Sequence, residues 1–334
     1  MTHELPNVLV TGGAGYIGSH AVLALLDAGA KVAVIDDLST GFRWAIPDAA
    51  AFYQGDIADE ALVARILEER EIGAVMHFAG SLLVGESMAK PLLYYLNNTA
   101  KSRTLIETAI AAGVPHFIFS STCATYGMPE CALLSETTPQ VPINPYGRSK
   151  LMTEVMLRDA ARVSKMNYCA LRYFNVAGAD PEMRSGESTF DSTHLIKIAA
   201  EVVHGLRPGI AVFGTDYPTR DGTGVRDYIH VRDLAEAHIA ALRALMAEPK
   251  RSLELNCGYG RGYSVLEVLN AVDRIAGTKI ARRIEGRRPG DPPELVADNA
   301  LILATLDWRP RFDDLDTIIA HALAWEQCLA ARRR

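Results

Sequence analysis

Short runs of aliphatic and β-branched residues alternate along the first half of the chain with longer stretches whose apolar positions recur every three or four residues. The runs are Val8–Thr11, Val32–Asp36, Phe52–Asp56, Val75–Ala79, Phe117–Ser120 and Tyr168–Arg172. Runs of this length predict buried strands, and the stretches Ile17–Ala28, Glu60–Arg70 and Thr99–Ala112 predict helices. The first helix stops at Gly29 and the third before Gly113-Val114-Pro115, residues suited to ending helices. Six strand–helix steps in roughly 175 residues imply βαβ units and a parallel sheet covered on both faces.

Beyond that point Gly, Pro, Asp and Ser become frequent, through Gly178–Ser192 and again through Phe213–Asp227. Helical patterns return at Leu234–Ala247, Val265–Ile275 and Leu315–Leu329. The change of texture divides the chain into residues 1–176, a domain of alternating strands and helices, and 177–334, a smaller, loop-rich domain, with some interleaving of segments expected.

With 49% apolar and 22% charged residues, the 334-residue chain has the composition of an ordinary globular protein. A net charge of −6 excludes the basic footprint that nucleic acid requires, so any anionic ligand must be held locally. Cys123, Cys131, Cys169, Cys257 and Cys328 are scattered, never as C-x-x-C, which fits a reducing compartment and neither a disulfide framework nor a zinc knuckle. The first residues lack a basic, apolar leader, and no apolar run reaches bilayer length, so the expected location is the cytoplasm.

Gly12, Gly15 and Gly18 fall between the first strand and the first helix. Glycines there allow a tight turn, close backbone approach to a pyrophosphate and close helix–strand packing, while the helix N-terminus supplies donors. A glycine triplet alone is a weak signal. The second strand, however, ends about 20 residues on at Asp36-Asp37, where a carboxylate can accept from a ribose diol and would repel a 2′-phosphate. The combination predicts a Rossmann-type doubly wound sheet that binds NAD in preference to NADP, with Arg43 nearby as a contrary charge. Asp56, at the end of the third strand, could meet the adenine edge or be a solvated loop carboxylate.

Pro145 predicts the start of a helix that carries Tyr146 and Lys150 on one face, four residues apart. A phenol with a pKa of about 10 is a poor base at neutral pH unless a cation favours its phenolate, and Lys150 can be that cation. A lone Y-x-x-x-K is unremarkable. Its position carries the weight, because the preceding strand ends in Ser120-Ser121-Thr122, at the carboxyl end of the sheet where ligands bind in such folds. Thr122 can share a substrate proton with Tyr146, or simply cap a turn.

Taken together, Gly12–Gly18, Ser121-Thr122 and Tyr146…Lys150 resemble the extended short-chain dehydrogenase/reductases. His77-Phe78-Ala79-Gly80, Val84–Ser87, Arg172-Tyr173-Phe174-Asn175 and Asp221–Val231 narrow the likeness, over nearly the whole chain, to the UDP-glucose 4-epimerase family. That resemblance implies tightly bound NAD against Tyr16, Ile17, Asp36, Asp37, Asp56, Ile57, Phe78, Ala79, Gly80, Asn98, Tyr146, Lys150 and Phe174. It implies a UDP-sugar against Thr122, Tyr146, Asn175, Leu195, Ala211, Val212, Phe213, Arg226, Arg288 and Asp291. A homodimer formed through Leu92–Ala112 and Tyr146–Ser164 is implied as well. The chain departs from many relatives at Leu82, where a lysine is common, at His194, where an asparagine often contacts the ligand, and at Leu295, whose size limits room for an N-acetyl group.

The reaction implied is reversible oxidation at sugar C4: Tyr146 removes the 4-hydroxyl proton, directly or through Thr122, and the keto sugar turns its other face before it is reduced again. UDP should then be held firmly and the sugar loosely. Dehydratase and decarboxylase relatives need a carboxylate just after the active-site hydroxyl, where this chain has Cys123 and Ala124. A 4-epimerase for another UDP-sugar and a catalytically silent NAD-binding protein are the competing readings.

Overall fold

Val8 and Val10 point to one face of the first strand and Leu9 to the other, and both sets are fully buried. Both faces of the sheet are therefore covered, as the near-continuous apolar strands require. The computed structural model describes residues 4–131, 133–190, 192–288 and 290–332; residues 1–3, part of the stretch searched above for a leader, lie outside these. The main sheet has seven parallel strands: β1 (Asn7–Thr11), β2 (Val32–Asp36), β3 (Ala51–Gln54), β4 (Ile72–His77), β5 (His116–Thr122), β6 (Asn167–Tyr173) and β7 (Leu253–Cys257). Their order is β7-β6-β5-β4-β1-β2-β3. The order reverses between β1 and β4, and the crevice at the carboxyl ends of these strands is where such sheets bind ligands.

The helices that cover the sheet are α1 (Tyr16–Asp27), α2 (Glu60–Glu69), α3 (Lys101–Ala111), α4 (Pro145–Val163) and, after α5 (Leu195–Val203), α6 (Val231–Ala247). Val22, Leu25, Leu234 and Leu242 of α1 and α6 pack on one face, and Val63, Ile66, Leu105 and Leu157 of α2, α3 and α4 on the other. The predicted helix over Thr99–Ala112 is shorter as an α-helix, because Tyr95–Ala100 forms a π-helical turn before it. Single π turns of this kind often occur at functional sites.

Sequence periodicity gave no sign of β7, a five-residue run beyond a loop-rich region. It pairs with β6 from Leu253↔Cys169 to Cys257↔Tyr173. Because α6 packs on α1 and β7 extends the main sheet, the two parts of the chain interleave. The remainder builds a smaller layer in which strand Val225–His230 pairs with Asn175–Ala177, Gly262–Ser264 and Glu294–Ala297. A separate parallel pair joins Ile210–Phe213 to Arg282–Glu285. Helices α5, α7 (Val265–Ala276) and α8 (Leu315–Arg332) enclose the core of this region around Ile196, Val268 and Ile318. No helix among the described residues is long and apolar enough to cross a membrane.

Candidate active site

The glycine loop lies directly against the end of β4. Gly12 has φ +69°, and a Cβ there would sit 2.6 Å from the Ala79 backbone nitrogen; at Gly18 it would sit 2.1 Å from the Gly12 carbonyl oxygen. Only glycine fits both approaches. Gly15 occupies the N-cap of α1 with no capping side chain and no acid in the first turn, so the helix start at Tyr16-Ile17 is open to an anion. Ile17 is half-buried, and the Tyr16 hydroxyl donates to the Gly178 carbonyl at 2.7 Å.

Asp36, at the end of β2, accepts from the Ala14 and Leu38 backbone at 2.9 and 2.8 Å. Burial pushes its carboxyl above the usual range despite those bonds, and the carboxylate retains lone pairs for a diol. Asp37 caps Ser39. Burial raises Asp56, but a 2.6 Å bond from Lys101 and the Ala58 amide outweigh it and hold the carboxyl below its ordinary value. Ile57 beside it is buried in the core. The loop after Asp37 also folds back onto the glycine turn: Gly41 packs on Ala14 and Phe42 donates to the Ala14 carbonyl at 3.0 Å. Sequence reading missed this loop, because nothing local marks its contact with residue 14.

Asn98 sits in the π turn and clasps Ser81, accepting from its amide at 2.7 Å and donating to its carbonyl at 2.9 Å, while also donating to Ser149 at 3.1 Å. It thereby ties the Phe78-Ala79-Gly80 turn to α4. His77 bridges Thr11 and Ser102 at 2.7 and 2.8 Å, locking β1 to β4 beneath that turn.

Asn144 caps α4 by accepting from Gly147 at 2.8 Å, and Pro145 follows in the first turn, as the sequence predicts. Gly147 lets the helix approach the turn after β5, since a Cβ there would meet the Ala124 carbonyl oxygen at 2.4 Å. This contact brings Tyr146 to Thr122. The Thr122 hydroxyl caps the turn Cys123–Tyr126 by accepting from Ala124 at 3.1 Å, and it also hydrogen-bonds Tyr146. The capping role considered for Thr122 is thus present, and the same hydroxyl reaches the Tyr146 phenol. Lys150, one turn on, is buried and donates to the Ser120 carbonyl at 2.9 Å. Burial lowers its ammonium to about 8, against the pull of Glu154, and raises the Tyr146 phenol to about 12, against the Thr122 bond. Burial thus drives the two proton affinities apart, so the phenol keeps its proton more tightly than the ammonium does, and Thr122 rather than Lys150 is the group bonded to the phenol.

Behind this pair lies an ion network that sequence reading did not assign. Arg172, 1% exposed, donates to Glu154 at 2.7 Å, to Glu254 at 2.6 Å and to the Tyr126 hydroxyl at 3.1 Å. Glu154, fully buried, also accepts from Ser121 and, at 3.0 Å, from Gln140. The available signal was an arginine at the end of an otherwise apolar strand, with Glu154 four residues after Lys150 on α4.

The candidate nucleotide-sugar residues gather on the smaller layer. Register pairs Asn175 with Tyr228 and Arg226 with Leu295. Arg226 forms an ion pair with Asp291, and Arg288 lies over the Phe213 ring at 3.9 Å. Phe213 ends the strand that begins at Ile210 and includes Ala211 and Val212, and Leu195 opens α5 beside Asn175 in a shared cleft.

A model of the NAD dependent epimerase/dehydratase family matches residues 8–258. The chain belongs to this family. It is 53% identical to UDP-glucose 4-epimerase of Azospirillum brasilense, over 98% of this chain and 94% of that one. It is similar to the crystal structure of UDP-glucose 4-epimerase from Stenotrophomonas maltophila with bound NAD and formylated UDP-arabinopyranose, at 40% identity and TM-score 0.94 over 98% and 99% of the two chains. It is similar also to the Brucella ovis UDP-glucose 4-epimerase in complex with NAD, at 43% identity and TM-score 0.92 over 96% and 98%.

Within this epimerase/dehydratase family the chain's departures have clear places in the fold. Leu82 is exposed, leaving Lys150 as the ammonium at the Phe78–Gly80 turn. Position 123 holds a thiol and no carboxylate, and burial pushes that thiol up to about 12, so Cys123 holds its proton. Leu295 is buried against Tyr126, Leu134 and Phe174.

Proposed function

We propose that this chain interconverts UDP-galactose and UDP-glucose by 4-epimerisation, with tightly bound NAD. The observation that carries the reading is the Thr122–Tyr146 hydrogen bond at the carboxyl end of β5, with Lys150 one turn away and no carboxylate at 123 or 124. The glycine cradle at Gly12, the uncapped start of α1 and the spare lone pairs of Asp36 fit a dinucleotide, so Gly12, Gly15, Gly18, Asp36, Phe78, Ala79, Gly80, Asn98 and Lys150 would hold it. When bound, NAD supplies the hydride acceptor and donor.

The chain's own residues handle the proton. A base must take the sugar 4-hydroxyl proton and later return it; Tyr146 does so, with Thr122 as the adjoining hydroxyl. A phenol held near 12 needs nearby positive charge to ionise at neutral pH, and buried Lys150, one helical turn away, is placed to supply part of it. Arg226, Arg288, Asp291 and Asn175 anchor the UDP, arginine being matched to phosphate oxygens, and the sugar, held loosely by comparison, can turn.

The partner is a second copy of the chain. Leu92, Leu96, Met152 and Val155 are exposed, up to 79% at Leu92, and they recur at helical spacing on neighbouring helices, giving an apolar face for a homodimer. Five unpaired cysteines suit the reducing cytoplasm.

Purified protein incubated with UDP-galactose and no added NAD should yield UDP-glucose, resolved by chromatography or NMR, with UDP-N-acetylgalactosamine, UDP-xylose and UDP-glucuronate run in parallel. Tyr146→Phe should abolish turnover and retain NAD. Full activity in that variant, or no conversion of any substrate after NAD is supplied, would refute the assignment.

A further inference from the structure

A cleft between the start of α5, α8 and the strands of the smaller layer is lined by Asn175, Glu187, His194, Leu195, Tyr228 and Glu326. In it, one Glu187 oxygen accepts from the Ser192 hydroxyl and from His194 Nδ1, both at 2.6 Å. Glu187 is buried and its carboxyl is held below the ordinary range, burial being outweighed by the His194 charge and the two hydrogen bonds. An ionised carboxylate only accepts, so the His194 proton must sit on Nδ1. The tautomer is then fixed. Nε2, the remaining polar atom of a ring whose side chain is 42% exposed, is a bare lone pair when His194 is neutral and a donor only when it is charged.

We propose that His194 is a protonation-gated contact for the diphosphate of the nucleotide sugar: it donates through Nε2 when charged and turns a lone pair toward the phosphate oxygens when neutral. The proposal rests on the UDP-sugar reading of the site above. The Glu187 charge raises the ring against burial, so this titration falls above that of an ordinary histidine. The other titratable groups facing the pair are Lys197, held between Glu201 and Glu326, and the phenols of Tyr16 and Tyr228. Lys197 is held within its own ion pairs, and burial raises both phenols, which leaves His194 as the member of this group whose charge changes. An amide side chain at 194 would donate at every pH.

The test is calorimetric titration of UDP-glucose, whose diphosphate stays fully ionised, into the NAD-loaded protein from pH 6 to 9. The wild-type Kd should weaken about tenfold or more as pH rises, as expected for loss of a hydrogen bond to a charged group. In the alkaline part of the range, binding should take up a proton, visible as a heat that varies with buffer. His194→Asn should bind with a shallower pH profile and less proton uptake than the wild type, any remainder belonging to Lys150 near 8, and Glu187→Gln should move the wild-type midpoint to lower pH. A flat wild-type profile, an unchanged slope in His194→Asn or an unmoved midpoint in Glu187→Gln would each overturn the gate. Absence of UDP-glucose binding at any pH would instead overturn the nucleotide-sugar reading beneath it.

Discussion

Replacing Arg172 with methionine should cost both stability and turnover. The guanidinium is 1% exposed and its partner Glu154 is fully buried, so the substitution strands a carboxylate that keeps only Ser121 and Gln140. Breaking a buried pair from one side costs about 3–5 kcal/mol. Glu154→Gln should cost less, about 1.5–3 kcal/mol, because Arg172 retains Glu254 and Tyr126 and loses only hydrogen bonds to a charged group. Combining the two removes both charges together, so the double variant should recover about 2 kcal/mol of the summed losses. Urea unfolding of the three variants at a fixed NAD concentration measures the cycle. Since Glu154 accepts from Ser121, next to Thr122, and its charge favours the Lys150 ammonium, kcat should fall about tenfold in Arg172→Met, a modest mispositioning loss. Strict additivity, or a single-variant loss under about 1 kcal/mol, would refute the claim that this network supports the catalytic pair.

Lys150 has a folded value of about 8, below its unfolded 10.5, so the folded chain holds this proton less tightly. Its ammonium therefore costs stability below pH 8, and the cost disappears as pH rises from about 8 to 10.5. Lys150→Met should raise the urea stability of the NAD-free protein at pH 7 by about 1–3 kcal/mol, lose that gain by pH 10.5 and abolish turnover; destabilisation at pH 7 would contradict the account. Gly12→Ala forces a Cβ to 2.6 Å from the Ala79 nitrogen at a positive φ, and the purified variant should carry little NAD by absorbance after denaturation, whereas full occupancy would remove Gly12 from the cofactor cradle.

Local chemistry made much of this protein legible. Strand and helix runs follow from hydrophobic period, and Asn144-Pro145 and Gly29 mark helix ends through capping rules that need no distant partner. The glycine loop, Asp36, Thr122, Tyr146 and Lys150 could be singled out because each falls at a fixed place relative to a strand end. Strand β7 was not legible, since a five-residue run separated by some 80 residues from its partner β6 carries no periodicity that distinguishes it from a loop.

The sequence by itself determined most of the element types and the glycine turn, and it singled out Thr122, Tyr146 and Lys150 as candidates, because these depend on residues near one another in the chain. Only the tertiary structure decided that Gly41 packs on Ala14, that Arg172 reaches both Glu154 and Glu254, and that Glu187 fixes the tautomer of His194. It also decided that Lys150 is buried deeply enough to titrate near 8. Proton affinities and ion pairing depend on what surrounds a group in three dimensions, and burial is a property of the whole packed chain.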